Sequence, residues 1–204
     1  MSYTKNLAVN SCYKEKIAEL PEIIMVLVGI TMQKDDVYIG LINPKSPYNV
    51  SSIMRTAGNF RVDSILYTGK RYPRALMRNP GLPDMHRKVG QAITLAEVDS
   101  LLDAAAPNMK LVCVEFAENA IALPEFEHPD NAFYIFGPED GTMSQDIIDK
   151  ADSVVYVPTI NSMNLAATVN VVLYDRLAKS SCRSGSNELI QQSRDINNSL
   201  KVKA

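Results

Sequence analysis

From residue 36 onward, short runs rich in β-branched and aromatic residues alternate with longer segments whose apolar residues recur at helical spacing. The runs predict strands over residues 37–42, 64–69, 111–116, 132–136 and 154–157. The longer segments predict helices over residues 50–60, 95–106, 144–150 and 165–179. Because alternating strands and helices form sheets covered on both faces, this pattern predicts an α/β fold with a mostly parallel sheet.

The connecting segments are less regular. Three prolines and the turn sequence Asn79-Pro80-Gly81 predict an irregular chain over residues 70–90, followed by a short strand at 92–94. Ser144 is the expected N-cap of the helix over 144–150. The helix over 165–179 closes the core with one apolar stripe, which consists of Leu165, Val169, Val172, Leu173 and Leu177.

The 204 residues suffice for one domain with short appendages. We predict an N-terminal extension over 1–35, a domain over 36–180 and a polar, flexible C-terminal tail over 181–204. Within the extension, residues 23–28 fit either an edge strand or a helix. The longest apolar run, residues 23–30, is too short for a bilayer span of about 20 residues. The three cysteines form neither a disulfide framework nor a zinc pattern, so we expect a cytoplasmic protein without metal or membrane anchor.

The charge is unevenly distributed, although the net charge is only −2. Residues 43–90 contain nine Lys and Arg against two acids, a balance of +7. Residues 117–152 contain one Lys against nine acids, a balance of −8. The basic block is a candidate surface for a polyanion, but a solvated amphipathic face explains the same pattern, so charge alone leaves both interpretations open.

Three polar segments follow predicted strands, at the carboxyl ends where α/β sheets bind their ligands. In the first segment, Asn49 stands near the start of a helix and Arg55 follows six residues later. A helix N-terminus with a nearby guanidinium suits a phosphate group. The alternative is that Asn49 only caps the helix and Arg55 forms an ordinary surface ion pair.

The second segment places Gly137, Glu139 and Gly141 directly after a strand. Glycine permits close backbone approach to a ligand, and the acid can accept hydrogen bonds from it. A tight turn into a capped helix explains this segment equally well. In the third segment, Ser162 and Asn164 precede the last helix, where they can cap it, contact a ligand, or do both.

In this order, the three segments resemble the motifs of the SpoU, or TrmH-like, branch of the SPOUT methyltransferases. Asn49 and Arg55 match the first motif, although Ser51 stands where the family usually has Gly. The residues that match the second and third motifs are Gly137, Glu139, Gly141, Pro158, Ser162, Asn164, Ala166 and Ala167. The resemblance covers about residues 36–180.

The resemblance implies a C-terminal trefoil knot that binds S-adenosylmethionine, built from the loops after residues 136 and 157 and from the last helix. By the same analogy, the residues expected to contact the cofactor are Phe136, Gly137, Glu139, Gly141, Val157, Ile160, Ser162 and Leu165. It also implies a homodimer in which residues of both subunits complete each site.

This branch methylates a ribose 2′-hydroxyl in tRNA or rRNA, and the resemblance implies that activity here. Arg55 is expected to bind the target phosphate and to position the hydroxyl, because a permanently charged guanidinium is a poor base. The other residues expected to take part in catalysis are Asn49, Glu139, Ser162 and Asn164. The residues expected to bind RNA are Arg55, Lys70, Arg71, Arg74, Arg78, Arg87 and Lys88.

Several interpretations stay open. Tyr72 fits either base stacking or half-buried packing, and His86 fits a structural role or an RNA contact better than catalysis. The departure at Ser51 supports an alternative function, a catalytically impaired RNA-binding protein that retains the SPOUT fold. A third hypothesis is an α/β enzyme acting on another nucleotide-like ligand, although neither a Gly-x-Gly-x-x-Gly nor a Gly-Lys-Ser/Thr phosphate loop is present.

Overall fold

A computed structural model describes residues 36–78, 93–180 and 185–203. Its strands are β1 (Val37–Ile42), β2 (Ser64–Thr68), β3 (Thr94–Glu97), β4 (Lys110–Val114), β5 (Ile121–Ala122), β6 (Ala132–Phe136) and β7 (Ser153–Tyr156). They form a seven-stranded sheet in the order β3-β2-β1-β6-β4-β7-β5. Each neighbouring pair is parallel, so the carboxyl ends of these strands lie along one edge of the sheet, as the sequence predicts.

The helices of the described residues are α1 (Pro47–Asn59), α2 (Arg71–Arg78), α3 (Gln145–Ile148), α4 (Leu165–Lys179) and α5 (Asn187–Ser193). The central strand β6 shows how they cover the sheet, because successive side chains of a strand point to opposite faces. Tyr134 and Phe136 pack in one core cluster with α1 and α4. Phe133 and Ile135 pack in a second cluster, with residues 101–109 and α3. The sheet therefore has helices on both faces, as predicted.

Helix α1 begins at Pro47, three residues before the predicted start. Proline is tolerated there because the first-turn N–H groups of a helix have no partner within the helix. The Ser46 hydroxyl caps α1 by accepting a hydrogen bond from the Asn49 N–H at 3.4 Å. Asn49 is therefore not the N-cap, and its side chain remains available for other contacts.

Two predictions for residues 70–106 are wrong. Residues 71–78 form α2 rather than irregular chain, because Pro73 falls in the first turn, where its missing N–H breaks no helical bond. The predicted helix over 95–106 does not form. Instead, β3 pairs with residues 64–67 of β2, and the Ser100 hydroxyl accepts the Asp103 N–H in the turn that follows. The strand predicted at 92–94 accordingly begins at residue 94.

Residues 36–179 belong to one compact unit, and the described residues from 180 to 203 belong to another. The second unit contains α5, capped by the Ser186 hydroxyl, where the sequence predicted only polar chain. Helix α4 has the predicted bounds, but Leu177 near its end is exposed. The predicted extension over 1–35 lies outside the described residues. Among the described helices, none combines the length and apolarity needed to cross a bilayer.

Candidate active site

A cleft opens at the carboxyl edge of the sheet, among the ends of β4, β6 and β7 and the start of α4. Its lining residues are Val114, Glu115, Phe116, Phe136, Gly137, Pro138, Glu139, Gly141, Tyr156, Val157, Thr159, Ser162, Met163, Leu165 and Thr168. Three loops that are far apart along the chain therefore meet at one place. The second and third polar segments of the sequence both contribute to it.

Seven of the eight residues predicted to contact a cofactor line this cleft. The exception is Ile160, which does not line the cleft and whose side chain is 99% exposed. The loop turns sharply here, because the Thr159 hydroxyl donates to the carbonyl of Asn161 at 2.8 Å. Ile160, which lies between these two residues, consequently points to solvent. Ser162 lines the cleft, and its hydroxyl has no hydrogen-bond partner within the described part of the chain.

Glu115 contributes a carboxylate to the cleft, at a position that no motif in the sequence indicates. Its Oε2 accepts the Met143 N–H at 3.1 Å, and its Oε1 accepts the Phe116 N–H at 3.0 Å. A Cβ added to Gly137 would lie only 3.0 Å from Glu115 Oε2. The absence of a side chain at Gly137 therefore lets the Glu115 carboxylate approach its backbone closely, at a position that also lines the cleft.

Glu139 connects the loop after β6 to the loop after β1. Its Oε1 accepts two backbone hydrogen bonds, from the Lys45 N–H at 3.0 Å and from the Ser46 N–H at 2.9 Å. Because Ser46 also caps α1, the Glu139 carboxylate fixes the start of that helix relative to the cleft. Glu139 thus organises two loops and still lines the cleft.

Asn164 connects the third polar segment to the first. Its Nδ2 donates to Asn49 Oδ1 at 3.1 Å. Its Oδ1 accepts the N–H groups of Ala166 at 2.9 Å and Ala167 at 3.3 Å, which caps α4. Asn164 therefore caps α4, as the sequence allows, and its amide also holds Asn49, whereas its contact with a ligand stays a prediction.

Arg55 is not brought into this cleft by its own chain. It is exposed on α1 and does not line the cleft. The neighbouring Thr56 faces α4 instead, where its hydroxyl contacts Asn170 Oδ1 at 3.1 Å. Within the described residues, the Arg55 guanidinium has neither an ion-pair nor a hydrogen-bond partner. The surface ion pair considered as an alternative is thus absent from this part of the chain.

The predicted RNA-binding cations differ in their surroundings. Lys70 pairs with Glu97, and Arg71 donates to Asp140 from both terminal guanidinium nitrogens, at 2.6 and 2.8 Å. The hydrogen bonds from Arg71 lower the pKa of Asp140 below its usual range. By contrast, Arg74 and Arg78 are exposed on α2 and have no acidic partner among the described residues. Arg87 and Lys88 lie outside the described residues.

Tyr72 is buried on α2, with its ring edge-on against Tyr67 at a centroid distance of 5.2 Å. The packing interpretation therefore describes Tyr72, and its ring is not available for base stacking. His86, like the turn at 79–81, lies outside the described residues.

Aromatic side chains line the cleft beside the carboxyl ends of β4 and β7, and no motif in the sequence indicates them. Phe116 and Tyr156 line it with ring centroids 5.9 Å apart, and Phe116 is 51% exposed. Together with Phe136 and Leu165 they give the cleft apolar walls. Gly137, Gly141 and the Ser162 hydroxyl supply a few polar groups, so the cleft suits an organic ligand that has both apolar and polar parts. Across the described residues, no group of His, Cys, Asp or Glu side chains could hold a metal ion.

The chain is similar to a curated relative, the tRNA (cytidine-2′-O-)-methyltransferase TrmJ of Methanocaldococcus jannaschii. The two are 29% identical over 152 residues, which are 68% of this chain and 66% of the relative. An rRNA methyltransferase from Sinorhizobium meliloti has a similar fold, with a TM-score of 0.57 and 18% identity over 73% of this chain and 58% of that one.

The SpoU methyltransferase AviRb from Streptomyces viridochromogenes, solved in complex with the cofactor AdoMet, also has a similar fold. Its TM-score is 0.55, with 20% identity over 74% of this chain and 60% of that one. The chain spans less than two thirds of the length of each of these three proteins. At these identities, the two solved structures support the fold alone.

A match to a protein family covers most of the chain. The SpoU rRNA methylase family model matches residues 36–174, a range that contains the seven described strands and all three polar segments. By this match, the chain belongs to the SpoU rRNA methylase family.

Proposed function

We propose that this protein transfers a methyl group from S-adenosylmethionine to a ribose 2′-hydroxyl of tRNA or rRNA. The observation that carries the proposal is the junction of the three motif segments at one edge of the sheet. Glu139 binds the loop that starts α1, and Asn164 binds Asn49. Family membership and the similarity to a tRNA 2′-O-methyltransferase support the same activity.

The cleft provides the chemistry that this cofactor requires. Gly137 lines the cleft beside the Glu115 carboxylate, and the apolar walls suit an adenine ring. Ser162 and the backbone of the glycine-flanked loop after β6 would hold the polar groups of the cofactor. When bound, the cofactor supplies an electrophilic methyl group attached to a good leaving group.

The side chains of the protein would align the attacking hydroxyl. Arg55 would bind the phosphate next to the target ribose with its two-pronged guanidinium and hold the hydroxyl in line with the methyl group. A phosphate oxygen or a water molecule would then take the proton, because a guanidinium is a poor base. Asn49, held by Asn164, would orient the ribose, and Glu139 would keep the two loops in place.

The position of Arg55 supports assembly as a homodimer. Arg55 is exposed and does not line the cleft of its own chain, so a guanidinium at this site would come from a second copy. A C-terminal segment threaded as a trefoil knot and a cytoplasmic location belong to the same proposal. Among the described cations, Arg74 and Arg78 are the best placed to bind the RNA backbone, because they are exposed and have no acidic partner.

Transfer of tritiated methyl groups from S-adenosylmethionine to unfractionated tRNA and rRNA tests this function. We expect label in 2′-O-methylated nucleosides after complete digestion of the RNA. Arg55→Ala should reduce kcat/KM by about 10²–10³-fold, whereas Arg55→Lys should retain part of the activity through its charge. Because Arg55 is exposed, its replacement should leave the melting temperature nearly unchanged.

Lys150→Ala is a matched control, since Lys150 is an exposed cation outside the cleft. This variant should transfer methyl groups at the wild-type rate. Full activity of Arg55→Ala would remove Arg55 from the mechanism. RNA binding without any methyl transfer, and without binding of S-adenosylmethionine, would instead favour an RNA-binding protein that has lost catalysis.

A further inference from the structure

The loop after β6 carries two adjacent acids with different partners. Glu139 accepts backbone N–H groups from the loop after β1. Asp140 binds the Arg71 guanidinium through both carboxylate oxygens, at 2.6 and 2.8 Å, and contacts Lys45 Nζ at 3.4 Å. A loop that lines the cofactor cleft is thus joined to the first residue of α2.

The start of α2 has a second point of attachment. Asn43 Oδ1 accepts the Arg71 N–H at 3.3 Å, and Asn43 itself adopts a positive φ of 44°. Gly69 precedes α2 with a φ of 84°, and a Cβ at this position would lie 2.4 Å from Asn43 Oδ1. The backbone and the side chain of Arg71 are therefore held by two different loops of the carboxyl edge.

Helix α2 presents its cations on one side. Arg71, Arg74 and Arg78 are spaced three and four residues apart, so they share one helical face, which we call the basic stripe. Arg71 is engaged by Asp140 with 28% of its side chain exposed, whereas Arg74 and Arg78 are exposed. One end of the stripe is thus fixed to the loop after β6, residues 137–144, which we call the cofactor loop. The other two guanidinium groups are available to phosphates.

We infer that Asp140 is a positioning residue that fixes the basic stripe relative to the cofactor loop and thereby sets the affinity for RNA. The inference rests on the proposed function. Exposed ion pairs contribute little to stability, so Asp140 acts on the orientation of α2 rather than on the free energy of unfolding. A two-point contact between a guanidinium and a carboxylate is well suited to fixing the orientation of α2, because it restricts the angle between the two groups as well as their distance.

Binding of fluorescein-labelled unfractionated tRNA and rRNA fragments, followed by anisotropy, tests this inference together with calorimetric binding of S-adenosylmethionine. Asp140→Asn should weaken RNA binding by about three- to tenfold and change cofactor binding by less than about twofold. In methyl transfer, KM for RNA should rise while kcat stays near the wild-type value. Asp140→Glu keeps the charge and should restore most of the RNA affinity.

A double-mutant cycle with Arg71→Gln separates positioning from direct contact. If Asp140 acts through Arg71, the double variant Asp140→Asn/Arg71→Gln should bind RNA no more weakly than the weaker single variant. If Arg71 contacts phosphate directly, Asp140→Asn would free it and RNA affinity would stay unchanged or rise, which would overturn the inference. Asp146→Asn is the control, because Asp146 is exposed and has no side-chain partner among the described residues.

The outcomes distinguish the two proposals. A wild-type protein that binds RNA and transfers methyl groups, with Asp140→Asn equal to the wild type, overturns the positioning role alone. A wild-type protein that binds neither tRNA nor rRNA overturns the proposed function and the positioning role together.

Discussion

The carboxyl edge of the sheet and the packing between β6 and α4 both gather carboxylates beside cationic side chains, but at different depths. At the edge, the paired side chains of Arg71 and Asp140 are 28% and 52% exposed. Between β6 and α4, the side chain of His128 is 4% exposed, and Tyr134 is fully buried. We call the second group, His128, Tyr134, Asp175 and Arg176, the His128 cluster.

The hydrogen bonds of the His128 cluster form one continuous chain. His128 Nε2 lies 2.9 Å from Asp175 Oδ2, and His128 Nδ1 lies 2.7 Å from the Tyr134 hydroxyl. Arg176 donates to the same hydroxyl at 3.2 Å and to the Asp130 carbonyl at 2.7 Å. The Tyr134 O–H therefore donates to Nδ1, and the Nε2–H donates to Asp175. Each of these donors therefore has an acceptor in the cluster or in the backbone beside it.

The contrast shows which polar groups mark a site. In the His128 cluster, donors and acceptors satisfy one another inside the core, and their role is to fasten α4 to the chain before β6. At the carboxyl edge, Glu139 accepts backbone groups of the loop after β1 and Asn164 accepts backbone groups of α4, while a cleft remains open beside them. Charge and polarity alone do not distinguish these two regions, whereas the presence of an open cleft does.

Loss of the Glu139 carboxylate should have the largest effect at the edge. Glu139→Ala leaves the Lys45 and Ser46 N–H groups without their acceptor, and we expect methyl transfer to fall by about 10²-fold, because small displacements at an active site are costly. Glu139→Gln retains an acceptor oxygen and should keep most activity. Equal losses in both variants would contradict the role of the acceptor. Glu118→Ala is an exposed control that should match the wild type in steady-state kinetics.

Tyr134→Phe, in the His128 cluster, should reduce stability and leave activity unchanged, whereas Glu139→Ala should reduce activity. The change removes the hydroxyl shared by His128 and Arg176, so the free energy of unfolding should decrease by about 1–3 kcal/mol. Methyl transfer per folded molecule should not change. Denaturation by urea measures the loss, and Tyr174→Phe, at an exposed position, should stay within about 0.5 kcal/mol of the wild type. A loss of activity with unchanged stability would contradict the purely structural role of the His128 cluster.

The pH dependence of stability should show a smaller effect of the same cluster. Burial lowers the pKa of His128 below its ordinary value of 6.5, despite the opposing effect of its hydrogen bond to the Asp175 carboxylate. The unfolded chain therefore takes up a proton at a higher pH than the folded chain. The contribution to stability is complete above about pH 7 and declines as the pH falls through 6.5 toward the folded pKa, by at most about 1.4 kcal/mol per pH unit.

His128→Gln should flatten this decline in urea titrations between pH 7 and pH 5. The same titration of His86→Gln provides the comparison for the other histidine of the chain. If the free energy of unfolding changed with pH equally in the wild type and in His128→Gln, the pKa of His128 would not differ between the folded and unfolded chains.

The sequence predicted the central strands and α4 because their apolar runs match buried positions. It failed at residues 95–106, where Leu95 fits a helical stripe as well as a strand, and only pairing with β2 decides between them. The three polar segments were predictable because glycines and caps are local signals. Arg71 and Asp140 are 69 residues apart in the sequence, and no local sequence pattern predicts a contact between residues so far apart.

The most direct test of the account is calorimetric binding of S-adenosylmethionine to the wild type and to two tryptophan variants. Ser162→Trp fills the cleft from its wall, whereas Ser144→Trp places the same ring at an exposed position outside it. We expect the wild type and Ser144→Trp to bind one cofactor per chain and Ser162→Trp to lose binding. Equal binding by all three proteins, or none by the wild type, would contradict the claim that these converging loops form the cofactor site.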